Sequence, residues 1–182
     1  MNKRILKTAV AVGALAAVIC FIYLLVLAGF GENPFGKHKY MTIGFYGIFF
    51  AVAMWWYRDK LNNYVLRGRQ ALILGLLMNV ISTIFYVGLI YFYLANTTSG
   101  AKVVEQYKAE SLVKLDEMKR VYSKELSQEE YEQTKENINN FNPPSLAVQQ
   151  VSFYHGSGVF LTFVFMLIFK HNPEGARPKK KD

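Results

Sequence analysis

The sequence has little cysteine and, over long stretches, no charge at all. The single cysteine, Cys20, excludes an intrachain disulfide framework and a paired-cysteine metal site. Charged residues make up 19% of the 182 residues, against about 25% in soluble domains, and they fall almost entirely outside four apolar stretches. The chain also lacks a phosphate-binding loop, a dinucleotide-binding fingerprint and an internal repeat, so no motif indicates a nucleotide site.

The sequence instead contains four apolar runs, at about residues 8–30, 40–57, 70–94 and 148–169. A membrane-spanning helix needs about 20 mostly apolar residues, and a segment in lipid must satisfy its own backbone hydrogen bonds. The runs are continuous rather than alternating, which excludes a membrane β-barrel. We therefore predict an all-α membrane protein, with one membrane domain over residues 1–182 and four transmembrane helices.

The first run is predicted to be an uncleaved anchor. The three basic residues before it resemble the charged start of a signal peptide, but the run continues to Phe30. That length exceeds the about 7–15 apolar residues of a signal-peptide core. A lipoprotein cysteine would follow a small residue, whereas Cys20 follows Ile19.

The charges outside the runs predict the orientation. The N-terminal tail, the 58–69 loop and the 170–182 tail each carry a net charge of +3, whereas the 31–39 and 95–147 loops carry +1 and −2. Lys and Arg accumulate on the cytoplasmic side of membranes, so both termini are predicted to be cytoplasmic and the long loop extracytoplasmic. The total charge of +8 then reflects orientation in a lipid bilayer, and no nucleic-acid partner is predicted.

The long 95–147 loop is predicted to be helical. Its apolar residues recur at steps of three and four, the spacing of an amphipathic helix. Ser127 and Glu130 have the form of a capping box that restarts a helix to about residue 140. Two prolines are predicted to break that helix, with Ser145 as the N-cap of the fourth span. The pattern predicts a helical hairpin or a helical extension of the third span.

His155 is the candidate polar site, because the apolar runs contain no other Asp, Glu, Lys, Arg or His. A histidine can ligate a metal or a quinone or relay protons, but no second ligand sits three or four residues away, and only His38 could meet it. We favour a histidine that is hydrogen-bonded to a neighbouring helix. The lack of other ionisable side chains argues against a proton pump, a cation-coupled transporter or an intramembrane protease. No catalytic residue, metal site or cofactor is predicted.

Small and polar residues within the runs are predicted to pack the helices together. Asn79, with Ser82 and Thr83, forms a polar patch that could line a pathway or, as we favour, join helices by hydrogen bonds. Small residues allow helix backbones to approach closely. The candidate packing residues are Ala9, Gly13, Ala17, Gly75, Asn79, Gly156 and Gly158.

The basic 58–69 loop has two interpretations. One is contact with the phosphates of anionic lipids. The residues that would make this contact are Arg58, Lys60, Arg67 and Arg69. The other interpretation, which we favour, is that these charges only set the orientation of the chain.

This loop and the start of the third run carry a family resemblance. The segments concerned are Tyr57-Arg58-Asp59-Lys60, Gly68-Arg69-Gln70-Ala71 and Gly75. Together with the layout of residues 8–172, they resemble a bacterial family of four-span inner-membrane proteins that is known only as a domain of unknown function (number 4199). The resemblance implies no catalytic residues. It also implies an expectation that such proteins are accessory to membrane glycosyltransferases acting on polyprenyl lipids.

The sequence therefore predicts a non-enzymatic accessory or scaffolding subunit of a bacterial inner-membrane assembly. Its partner would be another membrane protein or a second copy of the chain, contacted through the spans and the outer loop. That loop could instead form a small cap on the protein's own spans, which we favour as the structural interpretation. The alternative function is a small transporter or lipid-handling protein, with the Asn79 patch facing a cavity.

Overall fold

The computed structural model describes residues 3–121 and 127–171, which are helical apart from short connections and one isolated backbone bridge. The helices within these ranges are α1 (Lys3–Gly29), α2 (Lys39–Trp56), α3 (Gly68–Asn96), α4 (Thr98–Val121), α5 (Gln128–Asn139) and α6 (Pro143–Phe169). A π-helical turn, Tyr57–Leu61, continues α2. Four of these elements are long and apolar enough to cross a membrane: α1, α2 with its π-helical turn, α3 and α6. The predicted all-α, four-span fold is confirmed, whereas residues 172–182 of the predicted basic tail lie outside the described residues.

The four spans pack as a bundle in which α3 contacts both α1 and α6 along much of its length. Helix α2 contacts α1 and α6 as well and lies across the bundle from α3. Large apolar side chains also cover the outside of the bundle, including Ile84, Phe92 and Phe160, each about two-thirds exposed (65–67%). Soluble proteins rarely expose such continuous apolar surface, so this outer face suits a lipid environment.

The start of α1, the π-helical turn and the end of α6 meet at one end of the bundle. The guanidinium of Arg4 donates a hydrogen bond to the carbonyl of Leu61 at 2.7 Å. Leu66 is fully buried, and its backbone forms an antiparallel bridge with His171, with N–O distances of 3.3 and 2.8 Å. These contacts tie the basic loop to the start of α1 and to the end of α6. We call this end of the molecule the basic end.

At the opposite end, α4 turns back onto the bundle directly after α3. Thr97 has an extended backbone and separates α3 from α4. Its hydroxyl accepts a hydrogen bond from the Gly100 N–H at 2.9 Å. A Cβ at Gly100 would overlap the backbone of Tyr93 and Leu94, so this close approach requires glycine. The helical insertion is therefore a separate α4–α5 hairpin, one of the two predicted arrangements, and not an extension of α3.

The base of the hairpin is anchored on the spans. Val103 and Val104 are buried in the same core cluster as Leu94 and Leu146. Polar contacts add to this anchor: the Asn33 amide donates to the Glu110 carboxylate at 2.8 Å, the Gln106 amide to the Gly31 carbonyl at 3.1 Å, and the Tyr107 hydroxyl to Gln149 at 2.9 Å. The base of the hairpin therefore forms the predicted cap on the protein's own spans.

The outer part of the hairpin is held together by contacts between α4 and α5. Leu115 of α4 and Ile138 of α5 are its buried apolar side chains. The Tyr131 hydroxyl donates to Asp116 at 2.6 Å, and the Lys119 ammonium donates to Gln128 at 2.7 Å. This outer part, which covers residues 112–121 and 127–139, is called the tip below.

The start of α6 differs from the prediction. Asn142, not Ser145, is the N-cap: its side chain accepts from the Ser145 N–H at 2.9 Å, while the Ser145 hydroxyl accepts from the Asn142 N–H at 2.9 Å. The two prolines therefore begin α6 and do not precede it. Proline fits the first turn of a helix because its fixed φ suits the helix and its missing N–H would have no partner there.

The predicted capping box of α5 is confirmed and should make the hairpin sensitive to pH. Glu130 accepts hydrogen bonds from the hydroxyl (2.8 Å) and the backbone N–H (3.0 Å) of Ser127, and these bonds lower the pKa of its carboxyl. A lowered pKa in the folded state adds stability above the pKa of the unfolded chain, which is lost as the pH falls through the folded pKa. We expect hydrogen-exchange protection of α5, corrected for intrinsic rates, to fall in that acidic range. Glu130→Gln should abolish this dependence and Glu129→Gln should keep it; protection that is independent of pH would contradict the cap.

Candidate functional site

Polar side chains from all four spans meet at the centre of the bundle. Each of these side chains is buried, and its residue is at most 6% exposed. We call this group the polar core, and its members are Cys20, Thr42, Tyr46, Asn79, Ser82, Thr83, Tyr86 and Tyr154. It is the largest set of hydrogen-bonding groups inside the spans in the described part of the chain, and it is the candidate functional site.

Asn79 joins three helices. Its side-chain amide N–H₂ donates to the backbone carbonyl of His155 at 3.1 Å and lies 3.3 Å from the His155 Nδ1. Its side-chain oxygen accepts from the Tyr46 hydroxyl at 3.1 Å. Tyr46 also hydrogen-bonds the Ser82 hydroxyl. The predicted polar patch thus connects α3 to α2 on one side and to α6 on the other.

Two further tyrosines extend the polar core towards the hairpin. The Tyr154 hydroxyl donates to the Thr42 hydroxyl at 2.7 Å and lies 3.0 Å from the Tyr86 hydroxyl. The rings of Tyr86 and Tyr154 pack edge to face with their centroids 4.4 Å apart. An edge-to-face pair at this distance is favourable beyond its burial. The tyrosines therefore join α2, α3 and α6 a second time.

A small cavity of about 10 Å³ lies within the polar core. Its lining includes Cys20, Tyr46, Tyr86 and Tyr154. That volume is about the size needed for one water molecule. Within residues 3–121 and 127–171, every buried side-chain nitrogen and oxygen has a hydrogen-bond partner. The polar groups of the polar core therefore all have partners within the chain, and this arrangement suits a connection between helices.

Small residues bring α1 against α3. Ala9 and Ala17 are buried on α1 at no more than 2% exposure. A Cβ at Gly13 would lie 3.1 Å from the Met78 carbonyl oxygen and 3.4 Å from the Ile81 side chain. These three predicted packing positions all lie on the side of α1 that faces the bundle.

Two glycines bring α3 against α6 around the polar core. A Cβ at Gly75 would lie 2.5–2.7 Å from the Thr162 side chain, and a Cβ at Gly158 would overlap the Asn79 amide. Both distances are below those that real Cβ atoms show. The hydrogen bonds of Asn79 to His155 therefore depend on the absence of a side chain at Gly158.

Gly156 does not share this role. The prediction that it is a packing residue is wrong for contacts within this chain. It lies on the exposed face of α6, and a Cβ there would meet no atom within 4 Å. The reason is the helix period, since residues two apart point in nearly opposite directions. Gly158 therefore faces α3 while Gly156 faces outwards.

His155 lies at the margin of the polar core, in the middle of α6, with an exposed side chain that contacts Asn79. His38 instead lies 3.4 Å from the Glu32 carboxylate. Among the residues described, no group of three His, Cys, Asp or Glu side chains is placed to hold a metal ion. The contact of His155 is thus a hydrogen bond to a neighbouring helix, the arrangement that the sequence favoured.

The four basic residues of the 58–69 loop have different surroundings. Arg58 pairs with Asp59 at 2.6 Å and lies 5.5 Å above the centre of the Phe169 ring. The other three basic residues are exposed at the basic end: Lys60, Arg67 and Arg69. Arg58 therefore stabilises the junction of α2 and α6, while the exposed residues can contact lipid headgroups.

Sequence reasoning missed the three tyrosines and Thr42. The sequence did contain a signal for the tyrosines. They lie in the middle of the spans, away from the membrane interfaces where aromatic residues collect. Tyr46, Tyr86 and Tyr154 each lie well inside their helices. A hydroxyl at such a position needs a partner within the protein.

Comparison with known proteins defines the family of this chain. Residues 11–171 match the family described as Protein of unknown function (DUF4199). No curated protein and no solved structure matches the chain. The match covers both ends of the four-span bundle and the whole α4–α5 hairpin, so the chain belongs to the DUF4199 family.

Proposed function

We propose that the chain is a non-enzymatic accessory or scaffolding subunit of a bacterial inner-membrane protein assembly. Both termini and the basic end would be cytoplasmic, and the hairpin would be extracytoplasmic, as the distribution of Lys and Arg favours. The observation that carries the proposal is the tip of the α4–α5 hairpin. Its exposed apolar side chains contribute nothing to the core of this chain.

The tip has a fixed base and an open surface. Contacts of Val103, Val104 and Glu110 anchor the base on the spans. Beyond Ser111, α4 continues for ten residues, which is about 15 Å at the rise of an α-helix. Val113, Met118 and Val121 lie on this part and are 53–65% exposed. An arm that is anchored at its base and carries exposed apolar side chains suits the docking of another protein.

The polar core supports a structural role for the spans. Its hydrogen bonds are satisfied internally, and its cavity of about 10 Å³ is far smaller than the about 300–1,000 Å³ of typical ligand sites. Such networks hold membrane helices together at about 1 kcal/mol per hydrogen bond or less. The spans would then serve as a stable platform for the hairpin.

The proposal is tested by purification of the full chain in a mild detergent, with identification of the proteins that remain bound. We expect one membrane protein to be retained in a fixed ratio to the chain. A lone monomer, or an oligomer of this chain without another protein, would contradict the accessory role.

The alternative of a small transporter or lipid-handling protein predicts a different result for Asn79→Leu. If the polar core is structural, the variant should lose roughly 1–3 kcal/mol of unfolding free energy, because the Tyr46 and His155 groups lose a partner. Transbilayer movement of a fluorescent phospholipid in proteoliposomes should not change. Altered lipid movement with unchanged unfolding free energy would favour the alternative and contradict a structural polar core.

A further inference from the structure

His155 lies in the middle of α6, with its side chain exposed on the outside of the bundle. It is about 18 Å from the start of α6 at Pro143 and about 21 Å from its end at Phe169. That position falls within the hydrocarbon region of a bilayer, which is about 30 Å thick. An ionisable side chain at this depth is costly in contact with lipid and is almost always covered by protein. His155 therefore indicates that a protein surface lies against this face of α6.

One ring nitrogen of His155 is available to that surface. The orientation of the Asn79 amide is fixed, because its N–H₂ donates to the His155 carbonyl at 3.1 Å. An amide N–H₂ can only donate, so the His155 Nδ1, 3.3 Å away, is the acceptor in this contact. The proton of the neutral ring is therefore on Nε2, which has no hydrogen-bond partner within residues 3–121 and 127–171.

Two small residues, Ser152 and Gly156, lie on the same outer face, one helical turn apart. The Ser152 hydroxyl makes no hydrogen bond within the described part of the chain, and a Cβ at Gly156 would meet no atom within 4 Å. Small residues four apart let membrane helices approach closely, and Ser and His side chains hydrogen-bond across such contacts. Helix α6 is also the least buried of the four described spans, with 17% of its apolar stretch buried against 28–44% in the others.

This face is complementary to itself. It offers a donor at the His155 Nε2 and an acceptor at the Ser152 hydroxyl, on residues about 4.5 Å apart along the helix axis. Two copies of the chain in one membrane have the same orientation, so a two-fold pair places this face against its own copy with the helices parallel. Close approach at Gly156 then brings each His155 within reach of Ser152 on the other copy.

We propose that the outer face of α6 forms a dimer contact with the same face of a second copy of this chain. The two α6 helices pack closely at Gly156, and the Nε2–H of each His155 donates to the Ser152 hydroxyl of the other copy. The contact removes the histidine from lipid. It goes beyond the accessory role, which rests on the tip of the hairpin, so either proposal can fail while the other stands.

Disulfide cross-linking of the full chain in its membrane tests the contact. The only cysteine, Cys20, is first replaced by alanine. Ser152→Cys is then compared with Ile84→Cys on α3, which is 65% exposed and lies at nearly the same depth, because Asn79 and His155 are level. Oxidation with copper phenanthroline should give a linked dimer from Ser152→Cys only. A disulfide to a different protein, no dimer, or as much dimer from Ile84→Cys would overturn the proposal.

A pair of leucine variants tests the close approach without adding a bond. Gly156→Leu should weaken the dimer at least about tenfold, the effect of about 1.4 kcal/mol of over-packing. Gly44→Leu is the matched control, because it is also exposed and a Cβ there also meets no atom within 4 Å. Energy transfer between copies with C-terminal fluorophores, measured as the lipid is diluted, gives the dissociation constants. No effect of Gly156→Leu, or equal effects of both variants, would contradict the dimer.

Discussion

A Gly158→Ala variant is expected to lose roughly 2–5 kcal/mol of unfolding free energy. The added methyl group would overlap the Asn79 amide, so that side chain must leave the position in which it bonds His155 and Tyr46. Over-packing a core costs typically 1–3 kcal/mol, and each buried polar group that loses its partner adds a similar amount. Unfolding in increasing SDS from a mild detergent measures this loss.

Gly156→Ala is the matched control, two residues away on the same helix. The added methyl group meets no atom within 4 Å, and alanine is a better helix former than glycine by roughly 0.5–1 kcal/mol. We expect this variant to be as stable as the parent chain or slightly more so. Equal losses in the two variants, or no loss in Gly158→Ala, would contradict the close contact of α3 and α6 at Asn79.

A double-mutant cycle assigns the loss to this contact. Asn79→Ala removes the group that the new methyl would strike, so the combination of Asn79→Ala and Gly158→Ala should be less destabilising than the sum of the two single variants. Residues in contact show coupling of about 0.5–3 kcal/mol. Additive losses would show that the methyl group acts elsewhere.

Replacement of residues 112–139 by a short Gly-Ser loop is expected to release the partner completely. The replacement removes the tip of the hairpin and keeps the anchors at Val103, Val104 and Glu110. Tyr107 and Phe141, whose ring centroids are 5.6 Å apart, keep the two cut ends close. The unfolding free energy of the four spans should therefore stay near that of the full chain, while co-purification of the partner is lost.

A milder variant separates the surface of the tip from its mere presence. Substitution of Val113, Met118 and Val121 by serine does not change Leu115 and Ile138, the buried apolar side chains of the tip. We expect the hairpin to stay helical and retention of the partner to fall at least about tenfold, as for the loss of interface residues that are buried on binding. Full retention of the partner by the loop-replaced chain would show that the tip is not the docking surface.

The local parts of this fold were predictable from the sequence. The four spans follow from continuous apolar runs of about 18 residues or more, since a continuous apolar segment satisfies its own backbone in lipid only as a helix. The capping box of Ser127 and Glu130 depends only on residues three apart, and it forms as predicted. The close approach at Gly13, Gly75 and Gly158 also follows from residue size, although the sequence cannot say which helix lies opposite.

The remaining features depend on how the helices are arranged in space. Tyr46, Tyr86 and Tyr154 belong to three different helices, and only the bundle brings their hydroxyls together. Gly156 and Gly158 look equivalent in the sequence, yet the rotation of α6 places one outside and one against Asn79.

Photo-cross-linking in living cells tests the accessory-subunit proposal most directly. A photoreactive amino acid is placed at Val121 in the tip, or at Tyr64 at the basic end, which are equally exposed at 65% and 66%. The proposal expects one discrete adduct with a second membrane protein from position 121 and none with that protein from position 64. No protein adduct from position 121, or the same adduct from both positions, would contradict a partner docked on the hairpin.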